Sequence, residues 1–136
     1  MKKLTSLFLT LVCVVVMFVG CSMESKYQST NVENVNISIS DVSSTGATVI
    51  ITDSNKEPYI YGEWYSIEKE KDGKWYEVKT IINNYGFKDI GYIPNANGKI
   101  ELTVDWEWLY GKLSPGTYRL LKKVNSQYIS VEFSIE

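Results

Sequence analysis

From Val35 to the C-terminus, apolar residues recur at every second position over most of the chain, and that period constrains the fold more than any other feature. Successive side chains point to opposite faces only in an extended strand, so a one-sided period of two calls for sheets that each bury one face. Val35, Ile37 and Ile39 alternate with Asn36, Ser38 and Ser40. Ile100, Leu102 and Val104 alternate with Glu101, Thr103 and Asp105. Ile129, Val131, Phe133 and Ile135 alternate with Ser130, Glu132 and Ser134. Residues 47–52 are β-branched and apolar, as a central strand requires. Residues 59–70 read as an aromatic strand passing into charged alternation. That strand turns at Asp72-Gly73, a favoured hairpin pair, and returns over residues 75–79. Residues 116–124 and 127–135 form a last hairpin about Asn125-Ser126. The expectation is an all-β chain of about seven strands. The one helical signal is residues 105–111, where Asp105 suits an N-cap and Gly111 a left-handed exit.

A chain of 136 residues holds one domain of this kind. Its 14 basic and 16 acidic residues give a net charge of −2, which denies it the basic face a nucleic-acid binder needs. Histidine is absent, which removes the commonest general base and metal ligand.

The N-terminus reads as an address. Lys2 and Lys3 precede an uncharged run from Leu4 to Gly20, followed by Phe18-Val19-Gly20-Cys21 at its end. This resembles the lipobox of bacterial lipoproteins, with Phe18 standing where that family usually has Leu. The resemblance implies cleavage between Gly20 and Cys21 and a diacylglyceryl group on the Cys21 sulfur. The uncharged run has 17 residues, at the short end of the ~17–25 that span a bilayer. It also lacks the aromatic and basic flanks of a stop-transfer helix. An uncleaved anchor and ordinary secretion are the alternatives. The expected organisation is a signal peptide over residues 1–20, a lipidated Cys21 with a flexible tether over residues 21–34, and the folded body over residues 35–136. The expected location is the extracytoplasmic face of the cell membrane. Without Lys2 and Lys3 the chain keeps 12 basic and 16 acidic groups, a net −4. Such a body is mildly repelled by an anionic membrane, which favours standing off on the tether. Cys13 falls in the removed segment, so no disulfide is expected and stability must come from packing.

The strongest fold signal is Leu113-Ser114-Pro115-Gly116-Thr117-Tyr118. It resembles the tyrosine corner of Ig-like and fibronectin-III-like sandwiches, where Tyr118 would fold its hydroxyl back onto the backbone before Pro115 and Gly116. Tyr61-Gly62-Glu63-Trp64-Tyr65, Gly73-Lys74-Trp75 and the run from Tyr110 to Arg119 are similar to the bacterial Ig-like domain of small cell-envelope lipoproteins. The resemblance covers about residues 35–136. It implies a single Ig-like antiparallel β-sandwich and no particular chemistry.

Residues that carry chemistry are few. Ser and Lys are plentiful but show no dyad spacing. Asp105, Glu107 and Glu63 near aromatic rings have the composition of a small glycosidase. A helix cap, a first-turn acid and a strand residue explain the same three more simply. Arg119, the only arginine, is expected to pair across strands with Glu63 or another acid. Asp53-Ser54-Asn55 and Asn95-Ala96-Asn97-Gly98 offer oxygen donors, but turns use the same residues, so neither a metal nor a cofactor is expected.

The surplus is aromatic: four Trp, ten Tyr and four Phe. Trp64-Tyr65 and Trp75-Tyr76 cannot both face the core in each pair, so some rings must lie outside or beneath a loop such as residues 80–98. Trp108, Tyr110, Tyr85 and Phe87 sit in connections and are the candidate ligand contacts. The functional expectation is a lipid-anchored envelope protein that binds a protein, peptide or glycan without covalent chemistry. The alternative is a structural or inhibitory module regulating a membrane partner, with a carboxylate glycosidase behind both.

Overall fold

A computed structural model describes residues 23–136, so the expected signal peptide, Gly20 and Cys21 lie outside the described residues. Seven strands form two antiparallel sheets. β1 (Val35–Ser40), β2 (Gly46–Asp53) and β5 (Lys99–Asp105) make a sheet in the order β1-β2-β5. β3 (Tyr65–Lys71), β4 (Lys74–Glu77), β6 (Gly116–Val124) and β7 (Gln127–Ile135) make the other, in the order β4-β3-β6-β7. One turn of helix, α1 (Glu107–Tyr110), joins β5 to β6. The apolar phase of each strand meets between the sheets, where Val49, Ile51, Ile67, Trp106 and Leu120 lose all contact with solvent.

Local chemistry sets the connections. The β3–β4 turn places Asp72 at φ 53° and Gly73 at φ 77°, the two positive angles of a type I′ hairpin. Asp105 Oδ1 accepts the Glu107 N–H at 3.0 Å, one position ahead of the formal cap, Trp106. Gly111 leaves α1 at φ 71°. The Tyr118 hydroxyl donates to the Ser114 carbonyl at 2.6 Å, which forms the tyrosine corner across Pro115-Gly116.

The aromatic strand expected from residue 59 starts at Tyr65 instead. The Asp53 carboxylate captures the Tyr59 N–H at 2.9 Å and the Tyr61 hydroxyl at 2.8 Å, which draws residues 54–61 into a loop. Tyr61 then pairs only with Tyr92, as an isolated bridge. The opposed faces of Trp64 and Tyr65 are as the alternation requires. Tyr65 is buried between the sheets, and Trp64 lies on the outer face against Tyr27 and Tyr128, at centroid distances of 5.4 and 5.6 Å.

The flexible tether is corrected for residues 23–34, which pack on the body. Glu77 N–H donates to Met23 O at 2.8 Å and Ser25 N–H to Trp75 O at 2.9 Å, along the β4 edge. The segment then crosses the outer face of the four-stranded sheet. At the far side Ser29 bridges Tyr128, and Thr30 N–H donates to Tyr128 O at 2.8 Å. Val32 ends in the core. One strap therefore covers both edges of this sheet, where unpaired N–H and C=O groups would invite association. Beneath it Leu121 is fully buried although it pairs with Ser66 and Ser130, the outward phase of the sheet. Polar composition suggested freedom, but the strap is held by backbone pairing and by an ion pair that itself needs polar partners.

That pair is Arg119 with Glu68, directly opposite in the β3–β6 register. Arg119 Nη2 lies 2.6 Å and Nε 2.7 Å from Glu68 Oε1. Glu68, not Glu63, is thus the acid that meets the only arginine. Arg119 Nη2 also donates to Ser25 Oγ at 3.3 Å and Tyr27 O at 3.2 Å, and its guanidinium lies 4.8 Å from the Trp75 ring centroid.

Candidate functional site

The β4–β5 connection, residues 78–98, runs over the side of the sandwich where β3 and β5 leave a gap. It is pinned at three places. Val78 N–H donates to Ile67 O at 3.1 Å, Ile81 N–H to Leu109 O at 2.8 Å, and Tyr92 N–H to Tyr61 O at 2.7 Å. Between these points it folds aromatic rings toward α1. Phe87 lies 5.3 Å from the Tyr65 ring and 6.0 Å from the Trp108 ring. Tyr85 lies 6.1 Å from Phe87 and 6.4 Å from Trp108. All four of these contacts run edge to face, the arrangement that ring quadrupoles favour.

The four residues nominated from sequence therefore meet in one cluster, but they do not do the same work. Tyr85 and Trp108 are 44% and 41% exposed, and Phe87 is half-buried beneath them. Tyr110 is buried, and its hydroxyl accepts the Ile67 N–H at 3.2 Å, so it supports the cluster and is not presented to a partner. Tyr65, the ring of the Trp64-Tyr65 pair that faces the core, is the cluster's base. Burial holds its hydroxyl well above the ordinary tyrosine range. Exposed aliphatic side chains lie on the same connection, at Ile81, Ile82, Ile90 and Ile93, and on the β2–β3 loop, at Ile60. Met23 is the only large hydrophobic among the exposed ones that lies elsewhere.

A small pocket of about 300 Å³ opens beside Phe87 and Trp108, with Glu63, Glu101 and Asp105 in its wall and Lys122 at its base. Lys122 sits on the core phase of β6 and donates to Gly62 O at 2.5 Å. Burial draws its pKa down to about 8, against the opposing pull of Glu63. Glu63 accepts the Tyr92 hydroxyl, so the acid considered for glycoside cleavage is tied to the covering loop. Asp105 caps α1, as stated above. Glu63 thus holds the covering loop and Asp105 the start of α1.

A longer groove of about 880 Å³ runs past Tyr85 and Tyr110 toward the strap. Its wall includes Lys26, Lys69, Lys71, Lys79 and Lys112, with Glu77 the only acid. The loops considered for calcium use their oxygens internally. Asp53 accepts four hydrogen bonds, and Asn95 Oδ1 accepts the Asn97 and Lys99 N–H groups at 2.9 and 3.0 Å. Among the described residues no cluster of three or more Cys, Asp or Glu is placed to hold a metal ion, and no helix is long and apolar enough to cross a membrane.

A family model described as a bacterial Ig-like domain matches residues 28–134. The match begins within the strap, which agrees with a domain that starts before Val35. No curated protein and no solved structure matches the chain.

Proposed function

Because the chain belongs to the bacterial Ig-like domain family, whose sandwiches are not catalytic, we propose that it is a lipid-anchored envelope protein that binds a protein or peptide partner through the Tyr85–Phe87–Trp108 surface. The observation that carries this reading is the concentration of exposed apolar side chains. Seven of the eight large exposed hydrophobics among the described residues belong to residues 60–111 on the covering loops and α1. Exposed apolar side chains gathered on neighbouring loops cost solubility, and such surface is kept where a partner covers it. Rigid aromatic anchors suit a protein surface, since they supply contact area at low entropic cost. A glycan would call for a flat ring face with polar groups around it, and here the rings meet edge to face.

A photo-crosslinking residue at position 108 tests the surface in intact envelopes. The expected result is a discrete adduct that falls at least about tenfold, roughly the effect of losing one aromatic hot spot, when Tyr85→Ala is added. A control crosslinker at position 125, in the β6–β7 turn, should give no such adduct. Equal adduct patterns from both positions would defeat the surface assignment.

The anchorage is supported by Lys2, Lys3, the uncharged run and Gly20-Cys21. A Cys21→Ala chain is expected to lose both its lipid label and its cleavage. Unchanged processing would remove the lipoprotein reading and leave the binding surface standing.

A further inference from the structure

We infer that the lysine groove, at the end that Met23 and Lys26 line, is the membrane-facing side of the domain and seats it on an anionic lipid surface. The inference rests on the anchorage at Cys21 proposed above. Two observations lead to it independently.

The first is where the docked chain begins. Met23 is already held at the β4 edge by the Glu77 N–H at 2.8 Å. Only two residues of chain length separate Met23 from Cys21, a reach of at most about 7 Å. A tether of 13 free residues would have allowed about 45 Å. With the strap docked, acyl chains at Cys21 bring the β4 edge into the headgroup region and leave the body no room to stand off.

The second is charge. The described residues hold 12 basic and 16 acidic side chains, yet the groove bordered by Met23 carries five lysines and one acid. Lys26 and Glu77 lie 3.8 Å apart at its rim, which leaves the other four lysines without a carboxylate in the groove wall. The smaller pocket beside Phe87 and Trp108 carries Glu63, Glu101 and Asp105 around one buried lysine. The groove wall is therefore basic on a body of net negative charge, and Met23, which borders it, sits next to the anchor. The screening length at physiological salt is about 8 Å, comparable with the reach from anchor to strap, so lysines at this groove feel an anionic surface held there.

The test uses the full chain purified with its lipid and reconstituted in vesicles of phosphatidylcholine alone or with phosphatidylglycerol. An amine-reactive reagent reports each lysine by mass spectrometry. Lys26, Lys71, Lys79 and Lys112 are expected to label about fivefold more slowly on the anionic vesicles, with 1 M salt abolishing the difference. Lys56 and Lys99, which do not line the groove, should label equally on both. Equal labelling of all six lysines on the two vesicle types would overturn the inference. So would protection by a soluble phosphodiester polymer on phosphatidylcholine vesicles with none from phosphatidylglycerol, which would make the groove a polymer site. The intact mass separately reports whether Cys21 carries acyl chains. Their absence would defeat the anchorage reading, and this inference with it, without bearing on the labelling result.

Discussion

An Arg119→Leu chain should lose about 3–5 kcal/mol of stability and release residues 23–30 from the sheet. Both effects follow from one side chain. Glu68 is fully buried, and one of its oxygens already lacks a hydrogen-bond partner among the described residues. Removing the guanidinium leaves that carboxylate with no countercharge under the strap. The same substitution removes the donors to Ser25 Oγ and Tyr27 O, the side-chain bonds that hold the strap midway across the sheet. Arg119→Lys keeps the charge but not the planar fork that reaches Glu68 and Tyr27 together, so it should recover only part of the loss. Glu68→Leu combined with Arg119→Leu should be more stable than Arg119→Leu alone, because no uncompensated charge remains. Denaturant midpoints measure the first effect and amide exchange over residues 25–30 the second. A loss below about 1 kcal/mol with the strap amides still protected would show that backbone pairing and ring contacts hold the strap by themselves.

The strap also marks where sequence reading stopped. Period two located seven strands because each buries one continuous face, and Pro115-Gly116-Thr117-Tyr118 announced the corner because a buried hydroxyl must find a backbone acceptor. Residues 23–30 have no period. They hold the sheet by backbone groups at its two edges and by Ser25, Tyr27 and Ser29 at single points, so polar composition there looked like freedom. The Asp72-Gly73 turn was legible in two residues. The false strand start at residue 59 arose because nothing local reveals that Asp53 will capture Tyr59 and Tyr61. Among the nominated residues, placement in connections picked out Tyr85, Phe87 and Trp108, rings that the fold brings into one cluster. The burial of Tyr65 beneath Phe87 and of Tyr110 on α1 was not legible, because alternation says only that one ring of Trp64-Tyr65 faces inward and a single helical turn carries no period. The lysine groove gathers residues from positions 26 to 112, and no linear spacing could have grouped them.

Asp53→Ala should lower stability by about 3–4 kcal/mol and loosen the covering loops, although Asp53 touches none of the proposed contact rings. Its Oδ1 accepts Asn55 N–H at 3.0 Å and Asn55 Nδ2 at 2.8 Å, and its Oδ2 accepts Tyr59 N–H at 2.9 Å and Tyr61 OH at 2.8 Å. Tyr61 is fully buried, so its hydroxyl would be left without a partner. Tyr61 in turn pairs with Tyr92, whose hydroxyl meets Glu63, and this chain fixes the loop that carries Phe87 over Tyr65. The pH dependence gives an independent reading. Burial alone would raise the Asp53 pKa, but the hydrogen bonds from Tyr61, Tyr59 and Asn55 outweigh it and hold the pKa below its ordinary 3.8. A carboxyl depressed on folding adds stability at pH values above the unfolded pKa. That contribution is therefore complete above about pH 4 to 5 and is lost as the pH falls through and below 3.8. Asp53→Asn should accordingly be destabilised at pH 7 while losing part of the acid-driven fall, since its amide places donors opposite donors and no longer titrates. Thermal melts of both chains from pH 7 to pH 3, with amide exchange at Tyr61 and Tyr92, measure these outcomes. If Asp53→Asn melts like the wild type at pH 7 and follows the same acid curve, the Asp53 bonds do not organise the covering loops, and the Tyr85–Phe87–Trp108 surface is held by ring packing alone.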